Sequence, residues 1–250
     1  MNEILRYKLQ KYSKAISSLT EFEKKNWEEH FTVEFTHHST AIEGNTISLI
    51  ATGIILADGL VPEQTSLKEL DEIRGHARAW EYVKNNVKLG IPLTENVIKD
   101  IHERVIPAPG VGGLYRTIPV YIRGAQHVPP NPVRIREYMK DFAYHIAHRE
   151  FDDPIQKAAW IHAEFTKIHP FQDGNGRTAR LMMNYWLMAN KIPPTCVKKE
   201  SSQKYFAALE DYSMKGYLEP FVSLLEDTLA KEAEAFFAVH TDIVHEDIQR

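Results

Sequence analysis

The 250-residue sequence predicts an all-α fold, a helical bundle core with one short β-hairpin flap. Two observations predict it. Bulky side chains recur every three or four positions over most of the chain. Glycine- and proline-punctuated β-branched runs, by contrast, are confined to one stretch, residues 107–132. An apolar content of 43% is enough for a buried core.

From Trp27, the residues Phe31, Phe35, His38 and Ile42 draw one face of a helix, which Gly44 ends. Residues 67–83 mix charged and apolar positions as a second amphipathic helix does. A third spans 94–105, where Thr94 can cap and Pro107 stops. The stretch PAPGVGGLYRTIPVYIRGAQHVPPNP then changes texture. Within it, Val120 and Ile122 alternate with Tyr121 and Arg123 around a Gly124-Ala125 turn, the pattern of a two-stranded flap. Helices resume at Val133. Asp153 and Pro154 are placed as cap and first residue of a helix ending near Ile168. Residues 177–190, 202–215 and 218–239 read as the remaining helices.

A formal charge of −4 gives the surface no broad positive field, so neither nucleic acid nor anionic membrane is expected as a partner. The single cysteine, Cys196, excludes an intramolecular disulfide and fits a reducing compartment. The N-terminal MNEILRYKLQKYSK mixes charges through what would be the apolar stretch of a secretory signal. The apolar stretch 47–57 is interrupted by Ser48, Thr52 and Gly53 and is shorter than the roughly 20 residues a spanning helix needs. A soluble, cytoplasmic protein is expected.

The segment HPFQDGNGRTAR, from His169 to Arg180, concentrates chemistry. A helix ends, a glycine-rich turn follows and a new helix starts, so backbone N–H groups near Gly174, Asn175 and Gly176 can converge on an anion. Arg177 and Arg180 share a face of the new helix and can bracket a polyphosphate. Asp173 offers Mg²⁺ a hard oxygen. His169, whose reference pKa is about 6.5, can take a hydroxyl proton at neutral pH. Gly-Asn-Gly alone is a common turn and a lone histidine before proline is usually structural; the joint order carries the information. GxxxxGK[ST], kinase motifs and HExxH are absent, and the glycine loop follows a helix rather than a strand. His162 reads as a core histidine.

HPFxDGNGRxxR resembles the signature of the Fic family, and every motif position from His169 to Arg180 matches. The resemblance implies a Fic fold and transfer of AMP from ATP, with Mg²⁺, to a Ser, Thr or Tyr hydroxyl of a target protein; the chain itself is one candidate target. His169 would be the general base and Asp173 the metal ligand. Asn175 and the loop amides around Gly174 and Gly176 would hold the α-phosphate, Arg177 the departing phosphates and Arg180 the γ-phosphate. The phosphate-transferring branch similar to Doc has lysine where this chain has Gly176, which favours AMP. The flap, Val120, Tyr121, Ile122 and Arg123, would clamp an extended target segment by edge pairing. His127, on a flap arm, reads as positional, and Tyr205 and Tyr217 are candidates to flank an adenine ring.

A second motif is Ser39-Thr40-Ala41-Ile42-Glu43-Gly44. By itself a glutamate in a last helical turn is disfavoured by the dipole and reads as solvent-exposed. The pattern [S/T]xxxE[G/N] nonetheless resembles the inhibitory-helix motif of Fic proteins, matched by Ser39, Glu43 and Gly44. In similar proteins this glutamate pairs with the second arginine, here Arg180, in place of the γ-phosphate. In some it also orients a water that removes AMP from a modified target. The resemblance implies an N-terminal helical region (1–60) carrying the inhibitory helix, a core domain (61–225) and a C-terminal helix (226–250). A small homo-oligomer is compatible with it. A nucleotide-binding regulatory module without transfer is the alternative, against which intact His169 and Asp173 speak.

Overall fold

The computed structural model describes residues 3–106, 108 and 110–240. Among them lie ten α-helices: α1 (Glu3–Ser18), α2 (Glu21–Ala41), α3 (Leu49–Asp58), α4 (Leu67–Lys88), α5 (Glu95–Val105), α6 (Ile135–His148), α7 (Pro154–Ile168), α8 (Asn175–Ala189), α9 (Ser202–Lys215) and α10 (Glu219–Val239). Local sequence sets most of their starts. Thr94 caps α5 by accepting the Val97 N–H, and Asp153 caps α7 through Gln156 ahead of Pro154. The Pro107 stop falls outside the described residues.

The α7–α8 pair is the centre of the bundle. Ile155, Ala159, Ile161 and Phe165 of α7 and Ala179, Leu181, Met183 and Leu187 of α8 are fully buried. Helices α4 and α5 pack on α8, while α6, α9 and α10 pack on α7. Where α4 crosses α5, a Cβ on Gly75 would stand 2.6 Å from the Val105 carbonyl oxygen, so only glycine permits this approach. One cluster of buried side chains runs from Leu5 to Phe236, and position 225/226 falls inside α10.

Three elements add to the sequence expectation or differ from it. First, within the N-terminal region expected to be helical, α1 buries one face, Leu5, Leu9, Tyr12 and Ala15, against α10. Each large side chain so covered contributes about 1.5–3 kcal/mol. Second, α2 is not one-sided at its end. Thr36, His38, Ser39, Thr40 and Ala41 are all buried, enclosed by α3, α4 and α8, and Gly44 (φ 105) turns the chain immediately beyond. Glu43 therefore sits in that turn, past the last helical residue.

Third, the β-hairpin flap is not formed: no strand occurs among the described residues. The turn exists, with Gly124 at φ 79 and the Ala125 N–H donating to the Ile122 carbonyl at 3.2 Å. The ladder does not. Pro119 on one arm and Pro129 and Pro130 on the other have no N–H to donate. The arms are held by side chains instead: Gln126 and His127 N–H groups donate to Glu210 Oε1 at 2.8 and 3.2 Å. Residues Val120 to Ile122 have no regular secondary structure and Arg123 opens the turn; Tyr121 and Arg123 are exposed, Val120 and Ile122 half-covered. No helix among the described residues is long and apolar enough to cross a membrane.

Candidate active site

Helix α7 ends because His169 adopts a left-handed conformation (φ 50, ψ 59) ahead of Pro170. A non-glycine residue there stores on the order of 1–3 kcal/mol. Its surroundings hold it. The His169 N–H donates to Phe165 O at 2.9 Å, and its carbonyl accepts from Arg116 Nε at 2.8 Å. The ring Nδ1 lies 3.2 Å from the Thr166 carbonyl, which can only accept, so Nδ1 carries the proton and Nε2 the lone pair. Burial lowers the His169 pKa below the ordinary imidazole value, Arg116 and His127 add to this, and the Thr166 carbonyl and Glu43 oppose it. The ring is thus a neutral base at neutral pH.

The next helix begins with uncapped N–H groups that could receive an anion. Gly174 (φ 75) precedes α8, which has no side-chain cap, and the first helical bond is Thr178 N–H to Gly174 O at 3.0 Å. The N–H groups of Asn175, Gly176 and Arg177 are left without a helical acceptor. The Asn175 side chain is engaged elsewhere. Its Oδ1 accepts the Phe171 N–H and its Nδ2 donates to the Phe171 carbonyl, both at 2.9 Å. Only its backbone N–H is available to a phosphate. Asn175→Ala should orphan both Phe171 groups and cost about 1–3 kcal/mol, read as a lowered Tm; an unchanged Tm would show that the staple bears nothing.

Asp173 projects from the loop with its side chain 63% exposed. Its Oδ1 accepts the Gly174 N–H at 2.6 Å and an Arg177 Nη2 contact at 3.3 Å. No group of three or more His, Cys, Asp or Glu that could hold a metal occurs among the described residues. The donor set is one carboxylate beside the uncapped start of α8, which would suit Mg²⁺ if phosphate were bound there, because that ion keeps waters and phosphate oxygens as its other ligands. Arg177 is buried with Nε and Nη1 lacking any hydrogen-bond partner. Unpaired buried guanidinium donors fit a phosphate oxygen.

Arg180 is fully engaged. Nε donates to Ser39 Oγ (2.9 Å), Nη1 to Tyr205 Oη (2.9 Å), and Nη2 to Ser39 O (2.6 Å) and Glu43 Oε1 (2.7 Å). The arginine side chain is 1% exposed and that of Glu43 34%. Glu43 also covers the start of α8: a Cβ added to Gly176 would lie 2.2 Å from Glu43 Oε1. Glycine at 176 is what lets a carboxylate rest on the start of α8. The structure therefore brings Ser39, Glu43, Gly176 and Arg180 together, and Gly44 contributes the turn.

Residues 92–187 match the Fic/DOC family. The overall fold matches a Fic-domain-containing signaling protein from Bacteroides thetaiotaomicron with a TM-score of 0.82 at 25% identity, over 92% of this chain and 95% of that one. The chain belongs to the Fic/DOC family. Fic-1 from C. elegans (residues 134–508) is similar over 94% of this Fic chain and 71% of its own, at 27% identity and a TM-score of 0.82. Protein adenylyltransferase Fic of Drosophila virilis is 32% identical over 233 residues, which cover 92% of this chain. The chain spans 46% of that relative's length.

Several residues of this Fic site carry no local sequence signal. His102 is stacked on Phe171 (centroids 3.6 Å apart), accepts the Gly113 N–H at Nδ1 and reaches the Asp173 carbonyl through Nε2 at 2.8 Å. Burial pushes its pKa down to about 4, so it remains a neutral pillar. Arg116 gathers the His169, Ile118 and Pro130 carbonyls and so ties the flap segment to the signature. His127 Nε2 reaches the Lys167 carbonyl at 2.8 Å, near the end of α7. Tyr205 does not wall an adenine pocket: it is buried, and its hydroxyl bridges Arg180 and His162 Nε2 (3.0 Å). Tyr217 is exposed. His162 is a core histidine, as its helical context suggested.

Proposed function

We propose that this Fic chain is a protein adenylyltransferase that moves AMP from ATP to a side-chain hydroxyl of a protein, itself included. The observation that carries the reading is an anion seat already holding an anion. The Glu43 carboxylate rests on Gly176, bound by Arg180, close enough to His169 to influence its protonation. The reading is supported by the relatives named protein adenylyltransferase, and Gly176, rather than a long cationic side chain, keeps the seat open.

In the proposed reaction the target hydroxyl oxygen bonds to the α-phosphorus, and the bond from that phosphorus to the bridging oxygen breaks. His169 Nε2 takes the hydroxyl proton and pyrophosphate leaves. The N–H groups of Asn175, Gly176 and Arg177 hold the α-phosphate, while Arg177 and Arg180 neutralise the departing charge. Asp173 would hold Mg²⁺, which would supply charge neutralisation to the phosphates when bound. Val120, Tyr121, Ile122 and Arg123, on the exposed segment that Arg116 ties to the signature, would contact the target segment, without the ladder of a hairpin.

Glu43 is proposed as a built-in brake, since Arg180 cannot serve a γ-phosphate and Glu43 together. The exposure of Glu43 beside His169 supports a second role, orienting a water that removes AMP from a modified protein. The test is incubation with Mg²⁺ and ATP labelled at either end. Label from the α-position should stay on protein and label from the γ-position should leave in pyrophosphate. Retained γ-label would make this a phosphotransferase, and tight ATP binding with neither label retained would make it a regulatory module.

A further inference from the structure

Helix α4 presents a carboxylate to both halves of the site at once. Glu72 Oε2 accepts from Asn45 Nδ2 at 2.8 Å, and its Oε1 stands 4.0 Å from Arg177 Nη1. Asn45 belongs to the turn that carries Glu43. Its N–H donates to Thr40 O at 3.2 Å, its Oδ1 accepts the Ile47 N–H at 3.0 Å, and its Nδ2 also reaches Glu69 O at 3.1 Å. The turn after Glu43 is therefore locked onto α4, and one end of the lock is the carboxylate facing Arg177.

A separation of 4.0 Å is an ion pair without a hydrogen bond. It attracts Arg177 but leaves Nε and Nη1 uncommitted. An arriving phosphate must draw the same guanidinium, and it meets the Glu72 charge as a competitor and a repellent neighbour. Arg177 thus lies between two carboxylates, Asp173 at 3.3 Å from Nη2 and Glu72 at 4.0 Å from Nη1, while Glu43 holds Arg180; residues 43–45 carry Glu43 and bind Glu72, but not Asp173.

We propose that Glu72 is a positioning residue that links the seat of Glu43 to the availability of Arg177. While Asn45 fixes the Glu72 carboxylate, Arg177 is drawn towards α4, and when the 43–45 turn departs, Glu72 loses the bond that aims it. By linkage, nucleotide held by Arg177 loosens the turn by the same factor that loosening the turn improves nucleotide binding. This rests on the nucleotide reading of the site given above.

The experiment is calorimetric titration of ATP with Mg²⁺ into the full chain as wild type, Glu72→Gln, Asn45→Ala and the double variant, with Glu43→Gly alongside. Glutamine keeps an acceptor for Asn45 and removes the charge. Glu72→Gln should tighten ATP on the order of fivefold, with the gain shrinking as salt rises. Asn45→Ala should tighten it in the same direction, and the double variant should gain no more than the stronger single one. A merely structural residue would weaken binding when replaced. Weaker binding by Glu72→Gln, no change with Asn45→Ala, or additive gains would each overturn the link. Should Glu72→Gln fail to give a cooperative thermal transition, Asn45→Ala alone decides. ATP binding by wild type and Glu43→Gly that ignores positions 45 and 72 sinks this inference only; no ATP binding by either sinks the nucleotide reading and the link with it.

Discussion

Replacing His169 is expected to lower AMP transfer by roughly 10²- to 10⁴-fold, the usual contribution of a positioned general base, with ATP affinity changed little. The anion seat is made of α8 N–H groups and guanidinium donors, none of which depends on the imidazole. Alanine at φ 50 is itself strained, so His169→Asn is the companion variant, because asparagine tolerates the left-handed region and preserves the turn. Both should bind ATP and transfer poorly. The pH profile of the wild type carries the sign. Burial holds the imidazole below its ordinary value, so the base is free above that lowered pKa and is lost as pH falls through it. The acid limb should therefore lie below the reference value of about 6.5. A wild-type limb above neutrality, or unimpaired transfer by both variants, would remove His169 from the role of base.

Much of this arrangement is legible in the chain because it is local. Caps at Thr94 and Asp153 act within one turn of the helices they start, and Gly174 through Arg180 assemble their seat within a loop and a helix end. What is not legible depends on distant partners. The buried stripe of α1 is separated by charges at short range and becomes a packing face only against α10. Val120 to Arg123 have the alternation of a strand, yet prolines on both arms remove the donors a ladder needs, an outcome that pairing rather than periodicity decides. Asn175 looks like a phosphate ligand by position but is consumed as a staple for Phe171, four residues back. Tyr205 and His162 lie 43 positions apart and meet only because α9 packs on α7, behind the arginine whose hydrogen bonds they complete. Arg116 and His102 are ordinary residues in sequence, and burial turns them into the braces of a strained histidine loop.

Replacing Glu43 by glycine should raise labelling of protein by α-labelled ATP by roughly 5- to 150-fold, the range spanned by couplings of 1–3 kcal/mol. The hydrogen bonds of Arg180 account for the gain. Among the described residues, Glu43 is the one carboxylate that hydrogen-bonds Arg180, while Ser39 Oγ, the Ser39 carbonyl and the Tyr205 hydroxyl are uncharged groups that remain in the variant. The guanidinium stays aimed, with Nη2 and the surface of Gly176 opened to a phosphate. The cost falls on the empty protein: Arg180 is 1% exposed, and without Glu43 its charge is buried with only neutral acceptors. Thermal stability should drop while transfer rises. That opposition of signs identifies a brake, because a substitution that merely damages the fold lowers both. At equal ATP concentration, ATP should restore part of the lost Tm in the variant and raise that of the wild type less, since stabilisation of the folded state grows with the logarithm of ligand concentration over Kd. Equal labelling of both proteins, or a Tm that ATP raises equally in each, would leave Glu43 as a structural partner of Arg180 with no hold on the reaction.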